Sequence, residues 1–281
     1  MTSYAEIVEH DVCALPLVRR VAALMDMDPL RIKERDPLPR GWQFILFTPI
    51  SRHSTLRADG FEPAPAELAE LTGFRMMFGG RRAQFLADIP VGARVRRISQ
   101  IKSIVRKAGQ QGPLTIVTTE YRTYPEGATE PAIVESQDMI YRGPSPAGAS
   151  GVAAKPKAAD VSADLTKRLK PSESMLFRFS AITFNSHRIH YDGPYAANAE
   201  GYPALVVNAG FTTLLLLELF REFDKAELRT LRTRNIRPLF CGRELALNAA
   251  RTGDSCRLWV TDHEGFVAVE CDINAGVNSG G

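Results

Sequence analysis

The densest apolar stretch of the chain is FTTLLLLELF, residues 211–220. Its leucines fall on every face of a helix, so the pattern predicts a helix over Phe211–Phe223 that is enclosed nearly all round. Arg221 and Lys225 near its end suit the negative pole of the helix dipole. Beyond it, short β-rich runs cover Glu227–Ile236, Glu244–Ala250, Ser255–Thr261 and Phe266–Ile273, separated by the turn-bearing segments RPLFCG, RTGD and DHEG. The N-terminal part carries a comparable set: Ala83–Ile89, Val95–Lys107, Leu114–Tyr124 and Ile133–Tyr141, broken by PVG, AGQQGP and PEGATEP. Ahead of these a helix is expected over Leu15–Met25, then a proline-punctuated stretch from Asp28 to Pro65. Residues 143–163, GPSPAGASGVAAKPKAADVSA, have no apolar periodicity and read as a linker between halves 1–142 and 164–281. Two similar sets of strands, with an apolar helix that a sheet can wrap, imply an α+β fold.

The segment Phe177–Asp192, FRFSAITFNSHRIHYD, is different in kind. Met175–Ile182 is strand-like, and Asn185, His187, Arg188, His190 and Asp192 then follow within eight positions. Burying such groups without partners is costly, so they must be paired, solvated or used. GYPALVVNAG follows, read as a turn, a short strand and the start of the leucine-rich helix. A histidine can move a proton near neutral pH, and a helix N-terminus favours an anionic oxygen. His190 is therefore either a proton-transfer group or a satisfied core histidine. Asn185 cannot take up a proton, but its amide can orient water. His187 is a second titrating group, a partner for Asn185, or a surface residue. Arg188 is a solvated strand-end charge or a fork for a substrate carboxylate. Ala209 or Gly210, after Asn208, offers a backbone N–H to an oxyanion, unless this is a plain turn into a helix. The run Gly79-Gly80-Arg81-Arg82 places a cation in a groove shared by the halves, or is a turn with solvated charges. His187, His190 and Asp192 are ligand-type residues, but His-x-x-His on a strand would point to opposite faces, so no metal is expected.

Composition narrows the classes. The chain of 281 residues, 44% of them hydrophobic, supports a sizeable core. A net charge of +3 without a Lys/Arg-rich arm gives no case for nucleic acid. Four scattered cysteines without a CxxC pair favour a reduced, cytoplasmic protein. The N-terminus lacks a signal-peptide pattern, and no apolar run reaches the roughly 18 residues of a membrane span. The absence of a glycine-rich phosphate loop argues against a nucleotide-binding fold.

The two segments together resemble the MaoC-like (R)-specific enoyl-CoA hydratases. The usual motif of that family is Asp-x-Asn-Pro-x-His, and Asn185 to His190 reproduces its Asp-to-His spacing. His190 takes the catalytic histidine position, whereas Asn185, His187 and Arg188 stand where the family has Asp, Asn and Pro. At the helix entrance most relatives have His-Gly, against Asn208-Ala209-Gly210 here. The string TFNxHRIHYD looks like the subgroup of type 2 hydroxyacyl-thioester dehydratases and mesaconyl-C4-CoA hydratases. The resemblance implies a double hot dog, two antiparallel sheets each wrapped around a central helix, with a degenerate N-terminal half. It implies a hydro-lyase that adds water reversibly to an α,β-unsaturated acyl-CoA thioester. His190 and Asn185 would be catalytic, and Ala209 and Gly210 would form the oxyanion hole. Arg188, His187, Asn208, Arg81 and Arg82 are expected to contact substrate, and Arg237 and Arg243 the CoA phosphates. The favoured substrate is a branched C5-dicarboxylyl thioester, mesaconyl-C4-CoA or itaconyl-CoA, giving citramalyl-CoA. A dehydratase of fatty (R)-3-hydroxyacyl chains and a non-catalytic acyl-CoA-binding subunit are the alternatives. The acyl-CoA is the only expected small-molecule partner, with no separate cofactor, and the protein is expected to be a homodimer.

Overall fold

In the computed structural model, residues 4–64, 66–109, 112–143, 156–253 and 255–276 are described. The N-terminal half contributes β1 (Ile7–Val12), α1 (Leu15–Leu24), β2 (Arg75–Phe85), β3 (Arg94–Gly109), β4 (Gly112–Pro125) and β5 (Ile133–Arg142). The C-terminal half contributes β6 (Leu165–Leu169), α2 (Glu173–Ile182), α3 (Gly193–Asn198), α4 (Ala209–Phe223), β7 (Glu227–Asn235), β8 (Leu245–Thr252), β9 (Ser255–Thr261) and β10 (Val267–Gly276). All ten strands join one sheet in the order β1-β3-β4-β5-β2-β7-β10-β9-β8-β6. The order reads the same from either end, so the halves are related by an approximate two-fold between β2 and β7. These strands pair antiparallel from Gly80 opposite Arg234 to Gln84 opposite Thr230. The two sheets expected from the sequence are thus one continuous sheet.

The leucine-rich helix is α4, and Leu214, Leu216, Leu217, Leu219 and Phe220 are almost wholly enclosed. Each such side chain contributes about 1.5–3 kcal/mol by leaving water, which explains why the helix needs no polar face over its middle turns. It packs on β8, β9 and β10. The described residues of the N-terminal half contain no helix comparable to α4. Short 3₁₀ turns at Pro29–Arg31, Gln43–Ile45, His53–Thr55 and Ala66–Leu71 occupy that stretch instead.

Two strand assignments need correction. Met175–Ile182 is helical, not extended. Ser172 caps it by accepting from the Met175 N–H, and Leu176, Phe179 and Ile182 recur at helical spacing on the buried side. The Ala83–Ile89 strand is shifted: β2 runs Arg75–Phe85. Gly79-Gly80 is accordingly no turn but a bulge within β2, opposite β5. A Cβ on Gly80 would lie 2.2 Å from the Thr233 carbonyl oxygen, so the glycine lets β2 approach β7. Residues 144–155 of the expected linker lie outside the described residues. Among the described residues, no helix is long and apolar enough to cross a membrane.

Candidate active site

The motif begins where α2 ends. Phe184 adopts a left-handed backbone (φ +50°), which an aromatic residue rarely does, and this reverses the chain into Asn185. A single 3₁₀ turn, Arg188–His190, follows, and then α3, whose cap is Asp192 accepting from the Tyr195 N–H at 3.0 Å. The strand-end expectation for this segment is wrong. It matters because a 3₁₀ turn stacks positions three apart on one side. His187 and His190 therefore face each other, ring centroids 5.5 Å apart and nearly perpendicular.

His190 is buried, and its Nδ1 lies 2.7 Å from the Val206 carbonyl oxygen. A carbonyl only accepts, so Nδ1 carries the proton and Nε2 keeps its lone pair. Val206 is itself fixed, donating its N–H to Ile189 and bridging Phe240. Burial pushes the His190 pKa from 6.5 to about 4, partly opposed by the Val206 bond. Burial likewise pushes His187 down to about 3, with the charges of His190, Arg57 and Arg75 adding to the effect. Both rings are neutral at pH 7. The Asn185 carbonyl oxygen accepts from the backbone N–H of His187 at 3.0 Å. This bond occupies its acceptor end and leaves its NH₂ as the working end.

The start of α4 lies against the same space. Asn208 occupies the cap position without capping, because its NH₂ donates to Ser180 Oγ at 3.3 Å. Its Oδ1 is buried with no hydrogen-bond partner. The first-turn N–H groups of Ala209 and Gly210 thus lack a side-chain cap at the positive end of a fifteen-residue helix. A Cβ on Gly210 would sit 3.0 Å from the Phe179 ring.

These groups open on one cavity of about 1190 Å³, walled by both halves. Asn185, His187, His190, Asn208, Ala209 and Gly210 line it from the C-terminal half. Met76, Met77, Phe78, Leu114, Met139 and Ile140 form an apolar wall from the N-terminal half.

The arginines divide. Arg81 lines the cavity, almost fully buried; it is 3.5 Å from Glu135, and its Nε has no partner. Arg237 also lines it, held by Asp262 and Glu264. Arg188, Arg82 and Arg243 are not in the cavity wall. Arg188 clasps Asp192 Oδ2 through two nitrogens, donates to the Ala58 carbonyl and lies over the Tyr195 ring, so its fork is already filled. Arg82 pairs with Asp138 on the sheet surface, and Arg243 meets His263. Asp192 caps α3 and binds Arg188 rather than a histidine. Among the described residues, no group of three His, Cys, Asp or Glu side chains could hold a metal ion.

Two contributors were missed in the sequence. Arg75 reaches the cavity beside Tyr202 and Glu200. The turn Arg57–Phe61 from the proline-punctuated stretch lies directly on the histidine motif. Asp59-Gly60 is a turn signal, but nothing in the sequence says what that turn touches.

Comparison with known proteins bears on this site. The model of the hydroxyacyl-thioester dehydratase type 2 family matches residues 41–241. Mesaconyl-C(4)-CoA hydratase of Chloroflexus aurantiacus is 34% identical over 274 residues, 96% of this chain and 95% of that protein. Mitochondrial hydroxyacyl-thioester dehydratase type 2 of Schizosaccharomyces pombe is 32% identical over 93 residues, covering 32% of this chain and 30% of its own. Among solved structures, a MaoC-like dehydratase from Phytophthora capsici superposes with a TM-score of 0.72 at 14% identity, covering 99% and 97% of the two chains. HtdX of Mycobacterium tuberculosis gives 0.67 at 13% identity, covering 96% and 99%. At such identities these structures establish the hot-dog fold alone.

Proposed function

Since the chain belongs to the type 2 hydroxyacyl-thioester dehydratase family, we propose that its cavity holds an enoyl-CoA thioester and adds water to it reversibly. The observation that carries this reading is His190, a buried neutral imidazole with its proton fixed on Nδ1 beside an uncapped helix N-terminus. Nε2 takes a proton from water as its oxygen bonds to Cβ. The Asn185 NH₂ donates to that oxygen and holds it in line. Electron density moves to the thioester oxygen, which the Ala209 or Gly210 N–H stabilises as an enolate. The imidazolium then returns the proton to Cα, and reversal of these steps dehydrates the 3-hydroxyacyl thioester. His187, Asn208 and Arg81 contact the acyl part, and Arg237 is the candidate for a CoA phosphate.

The substrate of this reading is a C5-dicarboxylyl thioester, mesaconyl-C4-CoA, with citramalyl-CoA as product. Itaconyl-CoA, whose double bond lies between Cβ and its methylene, gives the same product by these steps only after that double bond has moved to Cα–Cβ. The named activity of the Chloroflexus relative supports it. A second reading, a fatty (R)-3-hydroxyacyl dehydratase, is favoured by the methionine-rich wall of so large a cavity. Loss of enoyl-thioester absorbance decides for mesaconyl-C4-CoA, crotonyl-CoA and a long-chain enoyl-CoA, and chromatographic detection of citramalyl-CoA for itaconyl-CoA, all compared on purified protein. Turnover of the C5 compounds supports the first reading, turnover of straight chains alone the second. Tight binding without any turnover would leave an acyl-CoA-binding subunit. The homodimer belongs to the same proposal, with β1 and β6 as the edge strands that would meet a second copy.

A further inference from the structure

We infer that the turn Arg57–Phe61 of the N-terminal half is a working part of the catalytic site, with Gly60 as a positioning residue that fixes the His187–His190 loop. The turn is braced internally. Gly60 donates its N–H to the Arg57 carbonyl, Arg57 donates its N–H to the Phe61 carbonyl, and the Arg57 guanidinium lies 2.9 Å from Asp59 Oδ2. It is then bonded to the motif at three consecutive carbonyls. Ala58 accepts from Arg188 Nη1 at 3.0 Å, Asp59 from the Arg188 N–H at 2.8 Å, and Gly60 from the Ser186 hydroxyl at 2.5 Å. The Phe61 ring closes over the imidazole of His187, centroids 4.5 Å apart. Gly60 has φ +85°, and a Cβ there would stand 2.0 Å from the Ser186 carbonyl oxygen. Any side chain would have to lift the turn off the loop between Asn185 and His187.

The segment from Phe184 to His187 has no helix or strand ladder of its own. Its local bonds, from the Asn185 N–H to Ser180, from the His187 N–H to Asn185 and from the Tyr191 hydroxyl to Ser186, shape the loop, and the turn adds the tethers that hold it against the N-terminal half. The charged groups around the two imidazoles are Arg57 and Asp59 on the turn, Arg75 on β2, and the Arg188–Asp192 pair on the motif itself. Both arginines of the first two elements are matched, Arg57 by Asp59 and Arg75 by Glu200. Burial, to which Phe61 and the turn contribute, is the main cause that keeps His187 neutral, with the charges of His190, Arg57 and Arg75 adding to it, and lifting the turn admits water to the ring. The inference rests on the hydratase reading for its kinetic consequence, but not for its structural one.

The test is Gly60→Ala in the full chain, with Gly127→Ala as control. Gly127 has φ +79° with nothing within 4 Å of an added Cβ, so it carries the same backbone strain without the clash. Imidazole NMR signals are followed between pH 5 and 8, and kcat and KM are measured on whichever enoyl-CoA the wild type hydrates. In the wild type, two of the five histidines should stay neutral throughout. In Gly60→Ala the His187 signal should titrate within the window, and kcat should fall at least 30-fold with a smaller rise in KM. Gly127→Ala should behave as wild type. Unchanged signals and kcat in Gly60→Ala, or an equal loss in Gly127→Ala, would overturn the inference. If Gly60→Ala does not fold, Ser186→Ala removes one tether without a clash, and an unchanged histidine titration there overturns it as well. If the wild type hydrates no enoyl-CoA, the hydratase reading fails, and the NMR arm still decides the role of the turn.

Discussion

Lowering the pH from 7 to 5 should destabilise this protein through its two central imidazoles, and the amount follows from their surroundings. Unfolded histidines titrate near 6.5, while His190 and His187 in the fold are held down to about 4 and about 3. Above pH 6.5 both rings are neutral in both states and contribute nothing. Between pH 6.5 and about 4 the unfolded chain takes up two protons that the native state refuses. Each pH unit then costs about 1.4 kcal/mol per ring, so at pH 5 the pair costs about 4 kcal/mol. Below about 4 His190 protonates in the fold as well, and the slope halves. A loss of that size is a large part of the roughly 5–15 kcal/mol that stabilises an ordinary domain. Urea unfolding of the wild type and of His187→Gln/His190→Gln at both pH values measures it. Carboxylates that lose their partners in acid are common to both proteins and cancel in the comparison. The wild type should lose about 4 kcal/mol more than the double variant between pH 7 and 5. Equal losses would mean that the rings are solvated and that the tautomer argument for His190 has no basis.

His190→Ala should lower kcat by about 10²–10⁴, the usual worth of a positioned general base, with an unchanged far-ultraviolet spectrum. Near wild-type turnover would remove His190 from the mechanism. Arg188→Met should lower stability by about 1 kcal/mol, because it breaks a half-exposed ion pair with Asp192 and a bond to Ala58. Its thermal midpoint should fall while the KM values for dicarboxylyl and straight-chain thioesters keep their ratio. A selective rise for the dicarboxylyl substrate would restore Arg188 as a carboxylate reader.

The parts of the site that depend on local pattern were visible in the sequence. The apolar helix, the four strands after it and the spacing from Asn185 to His190 all follow from residue order. The resemblance to a hydratase family followed from that spacing. What was not visible depends on contacts between distant segments. FRFSAI has strong β-formers, yet Ser172 and the helical recurrence of Leu176, Phe179 and Ile182 outweigh that propensity. That error placed the two histidines on opposite faces, whereas the 3₁₀ turn brings them together. Arg188 looked free because Asp192, four positions on, comes beside it only once the segment is a 3₁₀ turn and helix, and its other partner, Ala58, lies 130 positions away. Arg75 and the Arg57–Phe61 turn could not be found, since only the fused sheet carries the N-terminal half to the cavity.

On the proposed function, Asn185, which stands where the wider MaoC-like motif has Asp, bears on substrate choice. In mesaconyl-C4-CoA the free carboxylate is attached to Cβ, the carbon that water attacks. A carboxylate at position 185 would then stand a few ångströms from that of the substrate. Two such charges about 5 Å apart repel by roughly 3 kcal/mol at an effective dielectric of 20, a factor of about 100 in binding. The amide removes this repulsion and keeps a donor for the water oxygen. On the proposed mechanism the proton-accepting role would then fall to His190 alone. A straight-chain thioester has no charge at Cβ and gains nothing from the exchange. Asn185→Asp should therefore fold normally, since a carboxylate still accepts from the His187 N–H that Asn185 now holds at 3.0 Å. It should raise KM for mesaconyl-C4-CoA by up to about 100-fold while leaving crotonyl-CoA hydration within a few-fold. Its kcat/KM profile should also gain an acidic limb as the new carboxylate titrates. If both substrates respond alike, the asparagine is not there to admit a charged acyl group, and the fatty-acyl reading gains ground.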